Sequence, residues 1–387
     1  MKHQTQVELT RAVFHHLAQG TTDVASEIYR NPIAHYTSAE RLAQEKADLF
    51  LGRPLMMALS CQLREAGAYI TCDGAGVPML ITRGQDGVVR AFLNVCRHRG
   101  ARVANGCGLN ANRFQCPYHG WTYDGAGHLV AVPDKRSFEG MDRAEHNLVS
   151  LPSVEQNGLI WVCATPSDTN VDSLPIDIDQ VLAGLGSEFQ SFNLDAFHHY
   201  TSRQLRQKMN WKLVVDTFLE PYHFGVLHRD SIAPIFFHNL CLFQAFGPHL
   251  RVTYPRRTIE TLRDRPETEW DLVNHSALVY VLFPNTVFVV QADHLEVWRI
   301  FPVEDKVDET VIFLDFFVPE PAINQSAKDH WDRNLELVTG VVSDEDFPTG
   351  EAIQFGFLSR AQSHMTYGRN EPALAHFEKT VTAALTR

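Results

Sequence analysis

The sequence has little of what would take a 387-residue chain outside the ordinary globular class. No run of about 18 uninterrupted apolar residues occurs, so no membrane-spanning helix is expected. The nearest candidate, SALVYVLFPNTVFVVQ, is interrupted by Pro284 and Asn285. The opening MKHQTQVELTRAVFHHLAQG has no continuous apolar stretch of the secretory kind and reads as an amphipathic helix. Cationic excess is missing too. The formal net charge is −12, which argues against nucleic acid or an anionic membrane surface as a partner. Seven scattered cysteines, an odd number, do not make a disulfide framework and point to a reducing, cytoplasmic setting. No internal repeat or low-complexity tract is present. No G-x-G-x-x-G follows a strand, so a built-in flavin or nicotinamide site is not expected.

What is there divides the chain into three. Residues 1–50 interleave polar and apolar positions and read as an N-terminal helical segment packed on the last domain. Residues 51–165 alternate short β-rich runs with glycine turns (GAYITC, DGAG, VPMLITRG, QDG), the pattern of a small antiparallel β domain. ATPSDTNVDSLPIDID, residues 164–179, is polar with two prolines and reads as a linker. In residues 166–387 the segment 205–228 has helical length and recurrence. It is followed by strand-like runs HLRVTYP, SALVYVLF, TVFVVQADHLEVWRIFPV and ETVIFLDFFVP, then by helices around 325–340 and 372–385. The whole is an α+β pattern.

The β domain contains NVCRHRGARVANGCGLNANRFQCPYHGWTYDG, with Cys96 and His98 in one loop and Cys116 and His119 in another. Zinc is one metal that binds two thiolates and two imidazoles. Yet zinc loops often pair like with like, whereas here each loop supplies one of each, C-x-H and C-x-x-H separated by 17 residues. A two-iron cluster of the Rieske type, with both thiolates on one iron and both imidazoles on the other, gains from that alternation: two opposed loops each give one ligand per iron. Glycines at 100, 106, 108 and 120 allow tight turns, and Cys107 reads as a small buried residue outside the pattern.

Farther on, DTFLEPYHFGVLH holds Glu220, His223 and His228. Residues three apart share a helix face but residues five apart do not, so His228 needs a distorted turn to join His223. By themselves these residues read equally well as a metal site or as ordinary helix histidines.

CRHRGARV and CPYHGWTYD resemble the C-x-H-R-G and C-P-Y-H-G-W motifs of Rieske non-haem iron oxygenases, and NWKLVVDTFLEPYHFGVLH resembles that family's N-W-K…E-x-x-H-x4-H stretch. The resemblance covers most of residues 40–360. It implies the alpha, terminal oxygenase subunit of an aromatic-ring-hydroxylating system: a Rieske domain followed by a helix-grip catalytic domain, an antiparallel sheet with a long helix. It implies a [2Fe–2S] cluster on Cys96, His98, Cys116 and His119. It also implies a mononuclear Fe(II) on His223, His228 and a late aspartate. SDEDFPTGEAIQFG is similar to the family's E-D-x4-E-x2-Q pattern, which makes that aspartate Asp346, with Asp344 as runner-up. Two histidines and one carboxylate hold one face of the octahedron and leave the other open. Where many members carry Glu-Asn, this chain has Asp216-Thr217.

The resemblance further implies dioxygenation or monooxygenation, a separate reductase and possibly a ferredoxin as electron donor, and a homotrimer. In that ring Glu220, three residues before His223, bridges the iron of one subunit and the cluster of the next. For substrate, 24 phenylalanines and the apolar IAPIFFHNLCLFQAFG after His228 suggest a small hydrophobic molecule, aromatic or cyclic, with Phe236, Phe237, Phe243 and the strand residue His294 at the pocket. A Rieske electron-transfer protein with a non-catalytic ligand-binding domain, and a zinc-bearing binding module, are the competing readings.

Overall fold

The computed structural model describes residues 1–166 and 176–385, so residues 167–175 of the stretch read as a linker lie outside the described residues. The chain divides into two compact units, one made of Met1–Glu45 with Leu182–Arg387 and the other of Lys46–Val181. The second is thus inserted, in sequence, between the two parts of the first.

The described residues of the inserted unit form three antiparallel sheets, as the glycine-punctuated runs predict. One has five strands, in the order Ser150–Leu151, Val89–Leu93, Met79–Arg83, Tyr69–Cys72, Cys107–Gly108. The others have three each: Ser153–Gln156, Leu159–Cys163 and Pro54–Leu59; and Arg113–Gln115, Thr122–Asp124 and Leu129–Ala131. A core of Leu80, Phe92, Phe114, Trp121, Tyr123 and Leu129 also encloses Cys96 and Cys116. Cys107, expected inside, is exposed, because it sits on the outermost short strand, paired only with Ile70.

The other unit carries a seven-stranded antiparallel sheet. Six strands, from Leu242–Phe246 to Thr310–Val318, follow one another as a meander, and His198–Gln207 adds itself beside Thr310–Val318. Strands Ser276–Leu282 and Thr286–Val290 are buried along their whole length, which is why their sequences run almost continuously apolar instead of alternating; His249–Pro255 is equally buried but alternates, with His249, Arg251 and Thr253 as its buried polar residues. The helix Gln325–Val341 starts on Asn324, whose side chain accepts from Ala327 N–H at 2.9 Å, an N-cap. It runs on through a π-helical turn, Val342–Asp346, into the helix Phe347–Phe357. The C-terminal helix is Pro372–Leu385. Mixed helix and antiparallel sheet is the expected class. Among the described residues no helix is long and apolar enough to cross a membrane.

Three local expectations fail. The segment 205–228 is not one helix: the strand continues to Gln207, a six-residue helix spans Trp211–Asp216, and irregular turns follow. Its apolar residues recur because Trp211, Leu213, Val214 and Val215 are buried nearly all round, not on one stripe. Tyr29–Pro32, inside the stretch read as helical, is a strand paired with His364–Tyr367, a partner more than 300 residues away that no local pattern reveals. TVFVVQADHLEVWRIFPV is two strands joined by a tight turn, closed by Gln291 N–H to His294 C=O at 3.0 Å. His294 therefore lies at the turn, not within a strand.

Candidate metal centres and the cavity

The two loops with alternating ligands are the same knuckle built twice. In each, the cysteine C=O accepts the N–H of a glycine four residues on: Gly100 to Cys96 at 2.9 Å and Gly120 to Cys116 at 3.0 Å. In each, the cysteine N–H returns to a carbonyl five residues on, Ala101 and Trp121, both at 2.8 Å. Gly100 and Gly120 have φ of +82° and +71°, a region that a side chain strongly disfavours, so each knuckle needs its glycine. The knuckle turns the cysteine inward and the histidine outward. Cys96 and Cys116 are each 2 % exposed, while His119 is exposed. The rings of His98 and His119 lie 4.6 Å apart, and His98 is stacked on Trp121 at 4.9 Å and 9°. Nδ1 of His98 is buried and has no hydrogen-bond partner, an expensive state for an imidazole nitrogen unless it ligates a metal. The Tyr123 hydroxyl lies 3.5 Å from Cys96 Sγ and accepts the Arg97 N–H at 3.0 Å. Two inward thiols and two imidazoles, one of them orphaned, fit a [2Fe–2S] cluster.

In the other unit His223, His228 and Asp346 converge. Among the described residues they form the one group of three or more such side chains whose ligand atoms all lie within 4.8 Å. His223 Nε2 and His228 Nε2 are 3.1 Å apart, and Asp346 Oδ1 is 3.5 and 3.2 Å from them. The opposite ring nitrogens are spoken for: His223 Nδ1–H donates to Glu220, and His228 Nδ1–H donates to Glu345 Oε2 at 2.5 Å. Both Nε2 lone pairs therefore face each other and a carboxylate oxygen, an arrangement of acceptors without a donor that a cation resolves. Burial works against a charge on His228, yet Asp346 and Glu345 outweigh it and raise its pKa above the ordinary imidazole value; the same pull serves a metal cation.

The turns after Trp211–Asp216 bring His228 back to His223, as the five-residue spacing demanded. Glu220 holds the turn, accepting the backbone N–H of Tyr222 and, at 3.1 Å, of His223. Asp346 arrives at the end of the π turn, a feature common at functional sites. Asp344, the runner-up, is exposed. Glu345, which sequence reasoning passed over, reaches His228 and also accepts from Ser231 Oγ at 2.9 Å. The only signal for it was the unbroken acidic run Asp344–Glu345–Asp346.

A cavity of about 420 Å³ opens on the triad. His223, His228 and Asp346 share its wall with Phe218, Phe224, Phe236 and Tyr254, and with Arg256, Asn274, Gln291 and His294. Phe236 and His294 thus both line this cavity. Phe237 and Phe243 are not on that wall: Phe237 lies under the Arg257 guanidinium, 5.1 Å from it, and Phe243 against His376, at 5.6 Å. Phe236 follows a run of turns and makes an isolated bridge with Arg256, whereas its neighbour Phe237 is turned to Arg257. Thr217, Phe224, Tyr254 and Arg256 were missed, being scattered over elements whose meeting only the fold decides.

A thiol–imidazole cradle in one unit, and in the other a two-histidine, one-carboxylate face opening on a cavity, define the class of Rieske non-haem iron oxygenases. Residues 194–387 match the family model described as "Ring hydroxylating alpha subunit (catalytic domain)", and residues 53–154 match the "Rieske [2Fe-2S] domain". The chain belongs to the ring-hydroxylating alpha-subunit family. It is an oxidoreductase, the terminal oxygenase component, with a Rieske [2Fe–2S] cluster and a mononuclear iron, and its chemistry requires O2 and an electron-transfer partner.

It is 26 % identical over 364 residues to the carnitine monooxygenase oxygenase subunit of Acinetobacter baumannii, covering 90 % of this chain and 93 % of that one. To the anthranilate 1,2-dioxygenase large subunit of Burkholderia cepacia it is 31 % identical over 212 residues, covering 51 % and 48 %. A crystal structure of the quaternary ammonium Rieske monooxygenase CntA with L-carnitine has the same fold, at a TM-score of 0.77, 23 % identity and coverage of 94 % and 97 %.

Proposed function

We propose that this chain hydroxylates a small molecule seated in the cavity beside His223, His228 and Asp346, inserting one oxygen atom. The observation that carries this is that a single cavity holds both the triad and a wall of substrate-like dimensions. Cys96, His98, Cys116 and His119 would hold the cluster. His223, His228 and Asp346 would hold the iron and leave the cavity side open. When bound, the cluster supplies single electrons and the mononuclear iron supplies O2 activation. The chain's own residues do the rest. Glu220 and Glu345 fix the tautomer and ring angle of the two histidines. The aromatic side chains exclude water. The wall is mixed, apolar at Phe218, Phe224, Phe236 and Tyr254 and polar at Arg256, Asn274 and Gln291. We therefore favour a substrate with both kinds of surface over an aromatic hydrocarbon. That the full-length relatives bear the name monooxygenase supports insertion of a single atom.

The assembly we propose is a homotrimer, a head-to-tail ring closed by threefold rotation. A carboxylate offers about four acceptor positions, and Glu220 has three filled by Tyr222 N–H, His223 N–H and His223 Nδ1–H. The one remaining suits the N–H of a cluster histidine from a neighbouring subunit. A non-catalytic ligand-binding domain has no use for the triad. An odd set of seven scattered cysteines, two of them assigned to the cluster, supports a reducing, cytoplasmic location.

The test is the metal-replete protein with a surrogate reductase, offered L-carnitine, γ-butyrobetaine, glycine betaine and anthranilate under ¹⁸O2. One labelled atom in a product is the expected result. No product from any compound, or two labelled atoms, defeats this reading. For the assembly, a trimer is expected on sedimentation, and Glu220→Gln should keep both metals while slowing single-turnover reoxidation of the reduced cluster. A fully active monomer would refute the ring.

A further inference from the structure

Among the described residues of this unit, the buried and half-buried arginines come with carboxylates. Arg41 pairs with Glu45 at 3.2 Å, Arg251 with Glu188 at 2.5 Å and Arg299 with Asp315 at 2.7 Å. Arg256, on the cavity wall, is the exception. Its one side-chain hydrogen bond is a neutral one, from Nη2 to Gln291 Oε1 at 2.7 Å, and its Nε–H is buried without an acceptor. Its guanidinium lies 5.3 Å from the Phe236 ring centroid, a contact that orients the group but does not neutralise it. Burial lowers its pKa from the usual arginine value, opposed by Asp293 and Glu296. A guanidinium remains charged regardless, so this wall carries a cation without a direct counter-ion.

The two nearby carboxylates are already engaged. Asp293 accepts from His294 Nδ1 at 2.8 Å and pairs with His330 at 3.1 Å. Glu296 accepts from Trp298 Nε1 at 3.0 Å and from Gln291 Nε2 at 3.1 Å, and lies 3.3 Å from His294 Nε2. Burial disfavours a charge on His294, but Asp293 and Glu296 win and raise its pKa, so that ring draws on their negative charge too. Gln291 is held from both sides and turns its carbonyl oxygen to Arg256, leaving the rest of the guanidinium fork to a ligand.

We propose that Arg256 is the anchor for a carboxylate on the substrate, so that this oxygenase acts on small carboxylic acids and orients them by that group. The proposal rests on the oxygenase reading of the same cavity. A planar guanidinium and a carboxylate match in geometry, and such charge-assisted pairs are stronger than neutral ones. In a partly desolvated cavity the discrimination is steep, because a neutral analogue leaves the half-buried cation, with its buried Nε–H, unpaired.

The test titrates L-carnitine, γ-butyrobetaine, glycine betaine and anthranilate, each against its own carboxamide, into metal-replete wild type, Arg256→Gln and Arg256→Lys by calorimetry. Far-ultraviolet circular dichroism and iron content confirm that the variants are folded and loaded. The expected result is at least one carboxylate that binds wild type at least ten times more tightly than its amide. That preference should vanish in Arg256→Gln and be partly restored in Arg256→Lys. Equal binding of acid and amide, a preference that survives Arg256→Gln, or no carboxylate bound from the panel overturns the proposal. Oxygenation is read separately by product analysis. A bound carboxylate left unoxidised would defeat the oxygenase reading and leave the anchor standing.

Discussion

The two proposed metal sites solve one problem by opposite means. The cluster cradle is local. Each five-residue knuckle, Cys96–Gly100 and Cys116–Gly120, closes on its own backbone hydrogen bonds, and the surrounding core has only to hold two preformed loops together. The triad is assembled. His223 and His228 hang on irregular turns, Asp346 comes from a helix more than 100 residues later, and each imidazole is aimed by a carboxylate outside the triad. A local site survives damage elsewhere; an assembled one is only as good as its scaffold.

The largest expected effect comes from His228→Ala. The mononuclear iron should be lost and product formation should fall by more than about 100-fold, since even the outer partners of metal ligands are worth 10–100-fold. The visible spectrum of the cluster should stay unchanged; a bleached cluster would mean that the sites are not independent. Asp346→Ala should follow His228→Ala, whereas Asp344→Ala, at an exposed position, should be silent in iron content and turnover. The reverse outcome would move the carboxylate ligand. Next is Glu345→Ala, which frees the His228 ring and should weaken iron binding by about 10–100-fold in a chelator competition. Smaller still is Gln354→Ala. The Gln354 side-chain carbonyl accepts the Asn210 N–H at 3.0 Å, as Glu351 does that of Lys208 at 2.7 Å, stitching the helix behind Asp346 to the segment that leads to the histidines. Leaving a buried N–H unpaired should cost roughly 1–3 kcal/mol in chemical denaturation, with some loss of iron and none of the cluster. The least effect is expected from Tyr123→Phe. Removing the hydroxyl beside Cys96 Sγ should lower the cluster potential in a redox titration and leave the iron site alone.

The same contrast decides what could be read from the residues alone. The cradle was legible because its logic is contained in CRHRG and CPYHG: ligand, spacing and glycine sit within one turn. His223 and His228 were half legible, since their spacing demanded a distortion that only the turns around Glu220 supply. Asp346 needed the family resemblance to be singled out from its acidic neighbours. Glu345 was lost among them, because in a helix the residue beside a ligand normally points elsewhere, and the π turn is not written in any residue preference. The wall of the cavity was the least legible. Phe236 and Phe237 are chemically identical neighbours, and only the turns that lead into the Phe236–Arg256 bridge decide which one faces the cavity. The run 286–302 hid its turn at Gln291–His294 inside an otherwise apolar stretch, although that turn carries much of the polar wall. The strand Tyr29–Pro32 was invisible for a related reason, having its partner at the far end of the chain.

That last pairing has a consequence in time. Asn31 donates to the hydroxyls of Tyr36 and Tyr367 at 2.9 and 3.1 Å, and Tyr36 in turn reaches Asp216 and Glu378, both at 2.8 Å. Ribosomes add roughly 5–20 residues per second. The more than 300 residues between Pro32 and His364 thus take on the order of tens of seconds to appear. All of Lys46–Val181 emerges in that interval and is free to fold, while the N-terminal strand waits without the strand that pairs with it. Newborn chains therefore pass through a stage in which the electron-carrying half can be complete and the oxygen-handling half cannot, and a ribosome that stalls before His364 leaves Asn31 without Tyr367.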